Sequence, residues 1–217
     1  MLAKKEDCAF GIVVSCGTPT RPTAPPARAM LIAVAVASPW PTHSSTESAP
    51  RPAVSVSPAR WVAARVVTRV FEDGAYADRA LAGEAEGLDQ RDRALAQQLA
   101  YGTVQRVRTL DHAIETLGRR PLRKLDPPVR AALRLGAYQL AFSEVAQHAA
   151  VNESVELVRE VGLERAVSFT NAVMRRLALG LRELVDSLPQ ATPGEAALRH
   201  SYPDWVAEAW WRDFGPE

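Results

Sequence analysis

Residues 125–177 contain three apolar stripes at helical spacing, joined by links too short to let them separate. They read LDPPVRAALRLGAYQLAF, HAAVNESVELVREVG and LERAVSFTNAVMRRL. In the first, Asp126 followed by Pro127 predicts an N-cap with proline at the first helical position, and Val129, Leu133, Ala137 and Leu140 recur at helical spacing. Val151, Val155, Val158 and Val161 form the second stripe, which Gly162 ends. Val167, Thr170, Met174, Leu177 and Leu181 form the third. None of the three can bury its stripe alone, so they must pack on one another.

The rest of the chain extends this pattern. Ser57-Pro58 predicts a helix start, with Val62, Val66 and Val70 inward and Asp73-Gly74 as the stop. Arg60 falls in the first turn, and Arg65 and Arg69 lie one turn apart on the other side. Asp89 opens what reads as the longest helix, roughly 90–117, with Leu95, Leu99, Val107, Leu110, Ile114 and Leu117 as its stripe and Arg106 at the stripe's edge. Leu181 to Leu188 predicts a further helical turn or two, and Pro193-Gly194 starts a short helix to Arg199. No segment alternates with period two for long enough to be a strand. The expectation is an all-α helical domain at 58–188 with a short helical appendage at 189–217.

Residues 1–57 are rich in Pro, Ser, Thr and Ala and hold no periodicity, which predicts a disordered extension. A misassigned upstream start codon would look the same. Both cysteines, Cys8 and Cys16, lie here, so neither a disulfide framework nor zinc spacing exists. The apolar run Met30–Ala37 is far shorter than the roughly 18–20 residues that span a bilayer, so no membrane segment is expected. As an export signal it starts late and lacks a basic leader. A cytoplasmic protein is expected.

The formal net charge is +1, so any nucleic-acid binding must come from a local patch. The candidates are Arg60, Arg65 and Arg69, the run Arg119, Arg120, Arg123 and Lys124, and the pair Arg175 and Arg176. A guanidinium fork matches phosphate geometry and stays charged. The same residues could equally solvate the outside of a bundle. Arg175 and Arg182 share a face at seven apart, as do Arg165 and Arg176 at eleven. Asn171 falls close to the third stripe and is expected to be held by structural hydrogen bonds. His148 just precedes a predicted helix, where a capping or packing role is expected, with Glu153 and Glu156 complementing the helix dipole. No metal-ligand spacing and no glycine-rich nucleotide loop occurs. The aromatic segment HSYPDWVAEAWWRDFG at 200–215 is too apolar to face water and suggests a partner surface.

The segments LRLGAYQL (133–140), HAAVNESVELVR (148–159) and FTNAVMRRL (169–177) resemble the helical domain of the transcription antitermination factor NusB. With DRALAQQLAYGTVQR (92–106), RRPLRKLDPPV (119–129) and HSYPDWVAEAWWRDFG (200–215), the chain more closely resembles the NusB-like N-terminal domain of the RsmB (Sun/Fmu) ribosomal RNA cytosine-C5 methyltransferases. The resemblance implies an all-helical RNA-binding domain. It implies RNA contacts from the start of the first helix, here Arg60 and Arg65, from Arg106, and from the pattern Asn171, Arg175 and Arg176. It implies ribosomal RNA as partner, and S-adenosylmethionine chemistry in a catalytic domain this chain lacks, so no cofactor and no methyl transfer are expected here. A free-standing NusB-type antitermination factor that binds RNA and a ribosomal-protein partner is the alternative. A helical module for protein docking is the third reading.

Overall fold

A computed structural model of the chain describes residues 56–215, and every regular element among them is helical. The helices are α1 (Pro58–Glu72), α2 (Ala77–Glu84), α3 (Gln90–Gln105), α4 (Val107–Gly118), α5 (Pro127–Phe142), α6 (Gln147–Glu160), α7 (Glu164–Ser187), α8 (Pro193–His200) and α9 (Asp204–Phe214), with one 3-10 turn at Leu122–Lys124. The bundle is all-α, as the stripes require. Residues 1–55, with both cysteines and all but the last two residues of the extension expected at 1–57, lie outside the described residues; Val56 is buried and its N–H donates to Glu160 at 3.0 Å.

Helix α5 is the axis. Its small and apolar residues, among them Val129, Ala132, Leu133, Gly136, Ala137 and Leu140, are buried, and α1, α3, α4, α6 and α7 all pack against it. Gly136 allows the closest approach. A Cβ there would lie 2.2 Å from Ser154 Oγ and 2.4 Å from Met174 Cε, so only a hydrogen fits between α5, α6 and α7. The Ser154 hydroxyl turns back to the Ala150 carbonyl, which satisfies it inside the core.

The single helix expected at 90–117 is two. Arg106 (φ −102°, ψ 9°) interrupts it, because the two halves serve different neighbours. Leu99 and Ala100 of α3 are buried on the side of α1, whereas Leu110, Ala113 and Ile114 of α4 are buried toward α7. One straight stripe cannot face both. Near the break, the Tyr138 ring occupies the space beside Gly102 that a Cβ would need. Conversely, the helix expected to restart near Leu181 is continuous, with α7 running 24 residues from Glu164 to Ser187.

The appendage is fastened to α4. The Thr109 hydroxyl donates to the Leu198 carbonyl at 2.7 Å. The Arg108 N–H donates to Ser201 Oγ at 3.0 Å, and its guanidinium donates to the Tyr202 carbonyl and pairs with Asp204. Helix α8 begins with a reciprocal cap between Thr192 and Glu195. Trp205 and Phe214 of α9 stay exposed.

Candidate nucleic-acid interface

The structure sorts the predicted basic residues into two groups, according to whether a side chain or carbonyl already holds them. Arg60 is half-buried at the start of α1. It pairs with Glu153 of α6, approaches Gln139 of α5 and donates to Ser57 Oγ. It therefore ties three helices together. Burial pushes the Glu153 carboxyl above the ordinary carboxylate range, and the Arg60 charge opposes that without cancelling it. Arg65 pairs with Glu84 at 2.7 Å, and Arg69 shares the same carboxylate. Arg106 lies over the Phe142 ring, 5.0 Å from its centroid, and reaches the His200 carbonyl. Arg182 donates to the Leu140 and Ser143 carbonyls at the end of α5. Arg60, Arg65 and Arg106 are thus half-buried and already partnered within the bundle, whereas Arg182 is exposed although it bonds two carbonyls.

The second group is open. Arg119, Arg120, Arg123, Lys124, Arg175 and Arg176 are exposed, and none pairs with a carboxylate among the described residues. Four of them sit on the α4–α5 connection, and its local structure explains why they point outward. Leu122 and Leu125 are buried and pin the segment to the bundle. The Leu122 N–H is held by the Glu115 carboxylate at 2.8 Å. The polar residues between these anchors face water. Arg119 takes the left-handed conformation (φ 55°) that closes α4, a position usually given to glycine.

Helix α7 runs beside this connection. Arg165 reaches Asp126 at 3.3 Å, Arg120 lies 5.2 Å from the centroid of the Phe169 ring, and a Cβ on Gly118 would meet Val173 at 3.3 Å. Residues 165, 169, 173 and 176 form one line on α7, so Arg176 continues the basic surface beyond Phe169. The exposed cations of this region are therefore Arg119, Arg120, Arg123 and Lys124 of the connection and Arg176 of α7, with Arg165 paired to Asp126 beside them. Asp126 holds the expected N-cap position of α5 ahead of Pro127, but its side chain makes no cap hydrogen bond and accepts from Arg165.

Arg175 is one residue on and points elsewhere. With Asn171 it lines a groove of about 660 Å³ between α6 and α7, together with Gln147, His148 and Asn152. Asn171 is half-buried, and among the described residues its amide has no hydrogen-bond partner. The expected structural anchor is therefore absent, because the third stripe turns inward at Thr170 and Met174 and leaves Asn171 on the rim. His148 is exposed within the first turn of α6, where it caps nothing. Sequence reasoning missed the supporting role of Phe169, whose signal was its place one turn after Arg165.

Among the described residues no cluster of His, Cys, Asp and Glu could hold a metal ion, and no helix is long and apolar enough to cross a membrane. The same residues contain no strand followed by a glycine-rich turn. The glycines that a Cβ would crowd most, Gly102 and Gly136, face side chains of the bundle, not a cradle.

Comparison with known proteins agrees with this architecture. The NusB family matches residues 57–179. The Synechocystis protein named probable ribosomal RNA small subunit methyltransferase B is 34% identical over 162 residues, covering 72% of this chain and 36% of that protein. The Pseudomonas putida ribosomal RNA small subunit methyltransferase B is 31% identical, covering 73% and 35%. The chain thus spans about a third of the length of these curated relatives. The transcription antitermination protein NusB of Alkalilimnicola ehrlichii is 39% identical over 94 residues, 43% of this chain and 53% of that protein. A crystal structure of the antitermination factors NusB and NusE with double-stranded RNA shares the fold, with a TM-score of 0.53 and 24% identity over 57% of this chain and 95% of that one. The chain belongs to the NusB family, as the NusB-like domain found in the N-terminal part of the small-subunit ribosomal RNA methyltransferases B.

Proposed function

We propose that this chain is the RNA-recognition module of a small-subunit ribosomal RNA cytosine-C5 methyltransferase, acting in the cytoplasm. The observation that supports this most is the open basic face on the α4–α5 connection and α7. Five cations there have no carboxylate partner among the described residues, although the net charge of the whole chain is only +1. Such a face engages an RNA backbone through charge and the guanidinium fork. Methyl transfer from S-adenosylmethionine is assigned to a catalytic domain outside these residues, and this module is proposed to hold the RNA for it.

Nuclease footprinting of the purified 217-residue chain on full-length small-subunit ribosomal RNA tests the reading. The expected result is a discrete protected segment, together with no transfer of labelled methyl by the chain alone. Protection of an antitermination leader RNA in its place, strengthened by a ribosomal protein, would favour the NusB-type alternative. Absence of binding to either RNA at low salt would overturn both.

A further inference from the structure

The α6–α7 groove differs in chemistry from the neighbouring basic face of α7. Its polar lining comprises Gln147, His148 and Asn152 of α6 and Asn171 and Arg175 of α7. Among the described residues none of these five side chains has a hydrogen-bond or ion-pair partner. Arg159, also in the lining, is held by Glu156 and, at 3.9 Å, by Glu164. Val151, Val155 and Ala178 supply an apolar floor, and Leu179 stands 88% exposed at the rim.

Three carboxamides, one imidazole and one guanidinium over an apolar floor make a poor site for a bare phosphate run, which needs charge above all. They make a good site for a nucleobase. A carboxamide offers a donor and an acceptor side by side, the arrangement that pairs with the edge of adenine. The floor can take the face of the ring, and Arg175 can hold the adjoining phosphate. Adenine can present the edge bearing N6 and N7 this way only when unpaired, because in an RNA duplex that edge lies in the deep, narrow major groove.

We propose that the α6–α7 groove binds an unpaired nucleotide of the RNA, with Asn152 and Asn171 reading an adenine edge and Arg175 holding its phosphate. The inference rests on the RNA-binding reading above and divides the labour within it. The face at Arg119–Lys124 and Arg176 supplies affinity without sequence preference, and the groove supplies the preference. Because Arg175 and Arg176 are adjacent on α7, one RNA strand crossing that helix can meet both.

Fluorescence anisotropy with four probes tests this: 12-nucleotide oligoadenylate, oligocytidylate and oligouridylate, and a 12-base-pair RNA duplex of mixed sequence. The wild-type chain is expected to bind oligoadenylate at least about tenfold more tightly than the two pyrimidine strands, the scale of one good bidentate base contact. An Asn152→Ala, Asn171→Ala double variant should bring the three strands within about twofold of one another while leaving duplex affinity unchanged. Both positions lie on a groove rim outside the core, and an unchanged melting temperature verifies the fold. Arg175→Gln provides a second variant, expected to weaken every single strand and spare the duplex. Equal affinity of the wild type for all three strands, or an adenine preference that survives the double substitution, would overturn the groove assignment while leaving the basic face intact. Failure of the wild type to bind any of the four probes would overturn the RNA-binding reading itself.

Discussion

The guanidinium of Arg120 lies over the ring of Phe169, 5.2 Å from its centroid, and so joins the α4–α5 connection to helix α7. An arginine placed this way keeps its charge and hydrogen-bond donors free at its edges while the ring limits its motion. Phe169→Ala should therefore weaken RNA binding although Phe169 itself need not touch RNA. The expected loss is about 0.5–1 kcal/mol of affinity, the size of an exposed cation–π contact. Fluorescence anisotropy with a ribosomal RNA fragment would measure it, and Arg120→Ala in the same background should then add less than it does in the wild type.

Arg60 predicts a different phenotype. Its partner Glu153 is half-buried, and burial already holds that carboxyl above its ordinary range. Arg60→Met would leave a largely desolvated carboxylate without its counter-charge. Stability at pH 7 should fall by about 2 kcal/mol, below the range for fully buried pairs because both groups keep some contact with water. The sign of the pH dependence follows from the raised value. A carboxyl that protonates more readily in the folded state favours folding at low pH, and that advantage is lost as pH rises through its folded value. The deficit of the variant should therefore shrink as pH drops from 7 toward 5, which urea midpoints at the two pH values would show.

Gly136→Ala tests the core. A methyl group there would sit 2.2 Å from Ser154 Oγ and 2.4 Å from Met174 Cε, so the Ser154 and Met174 side chains must move within a packed core. The expected cost is about 2 kcal/mol, as for other overpacked cores, measured as a lower urea midpoint with an unchanged slope.

The attachment of α8 and α9 to α4 depends heavily on Arg108, which reaches the Tyr202 carbonyl and Asp204. Arg108→Ala should loosen these helices by about 1 kcal/mol, a discounted value because the pair is partly exposed. Amide exchange in α9 should then accelerate about fivefold while that in α5 stays unchanged.

Much of this fold was legible in the chain because stripes such as Val129–Leu133–Ala137–Leu140 report which side of a helix must be buried, and those residues are buried. The break at Arg106 was not legible, because the stripe on either side continues at helical spacing and only the neighbours differ. The closeness that requires Gly136 was equally hidden, since it depends on Ser154 and Met174 from two other helices. For the candidate interface, the residue types were readable and their availability was not. Nothing near Arg60 or Arg65 in sequence announces that Glu153 and Glu84 will hold them. The run 119–124 could be read more directly, because it contains no acid, and burial of Leu122 and of Leu125 just after it leaves its cations facing water.

On the proposed reading, RNA backbone is held at the α4–α5 connection and α7, and not at the start of α1. The direct test is the salt dependence of binding to a small-subunit ribosomal RNA fragment for the wild type, an Arg120→Gln, Arg123→Gln, Arg176→Gln variant, and an Arg65→Gln, Arg69→Gln variant. The triple variant is expected to flatten the slope of log affinity against log salt by about 2–3, one released counterion or slightly less per lost phosphate contact, while the α1 variant keeps the wild-type slope. A flattened slope in the α1 variant with an unchanged slope in the triple variant would contradict it.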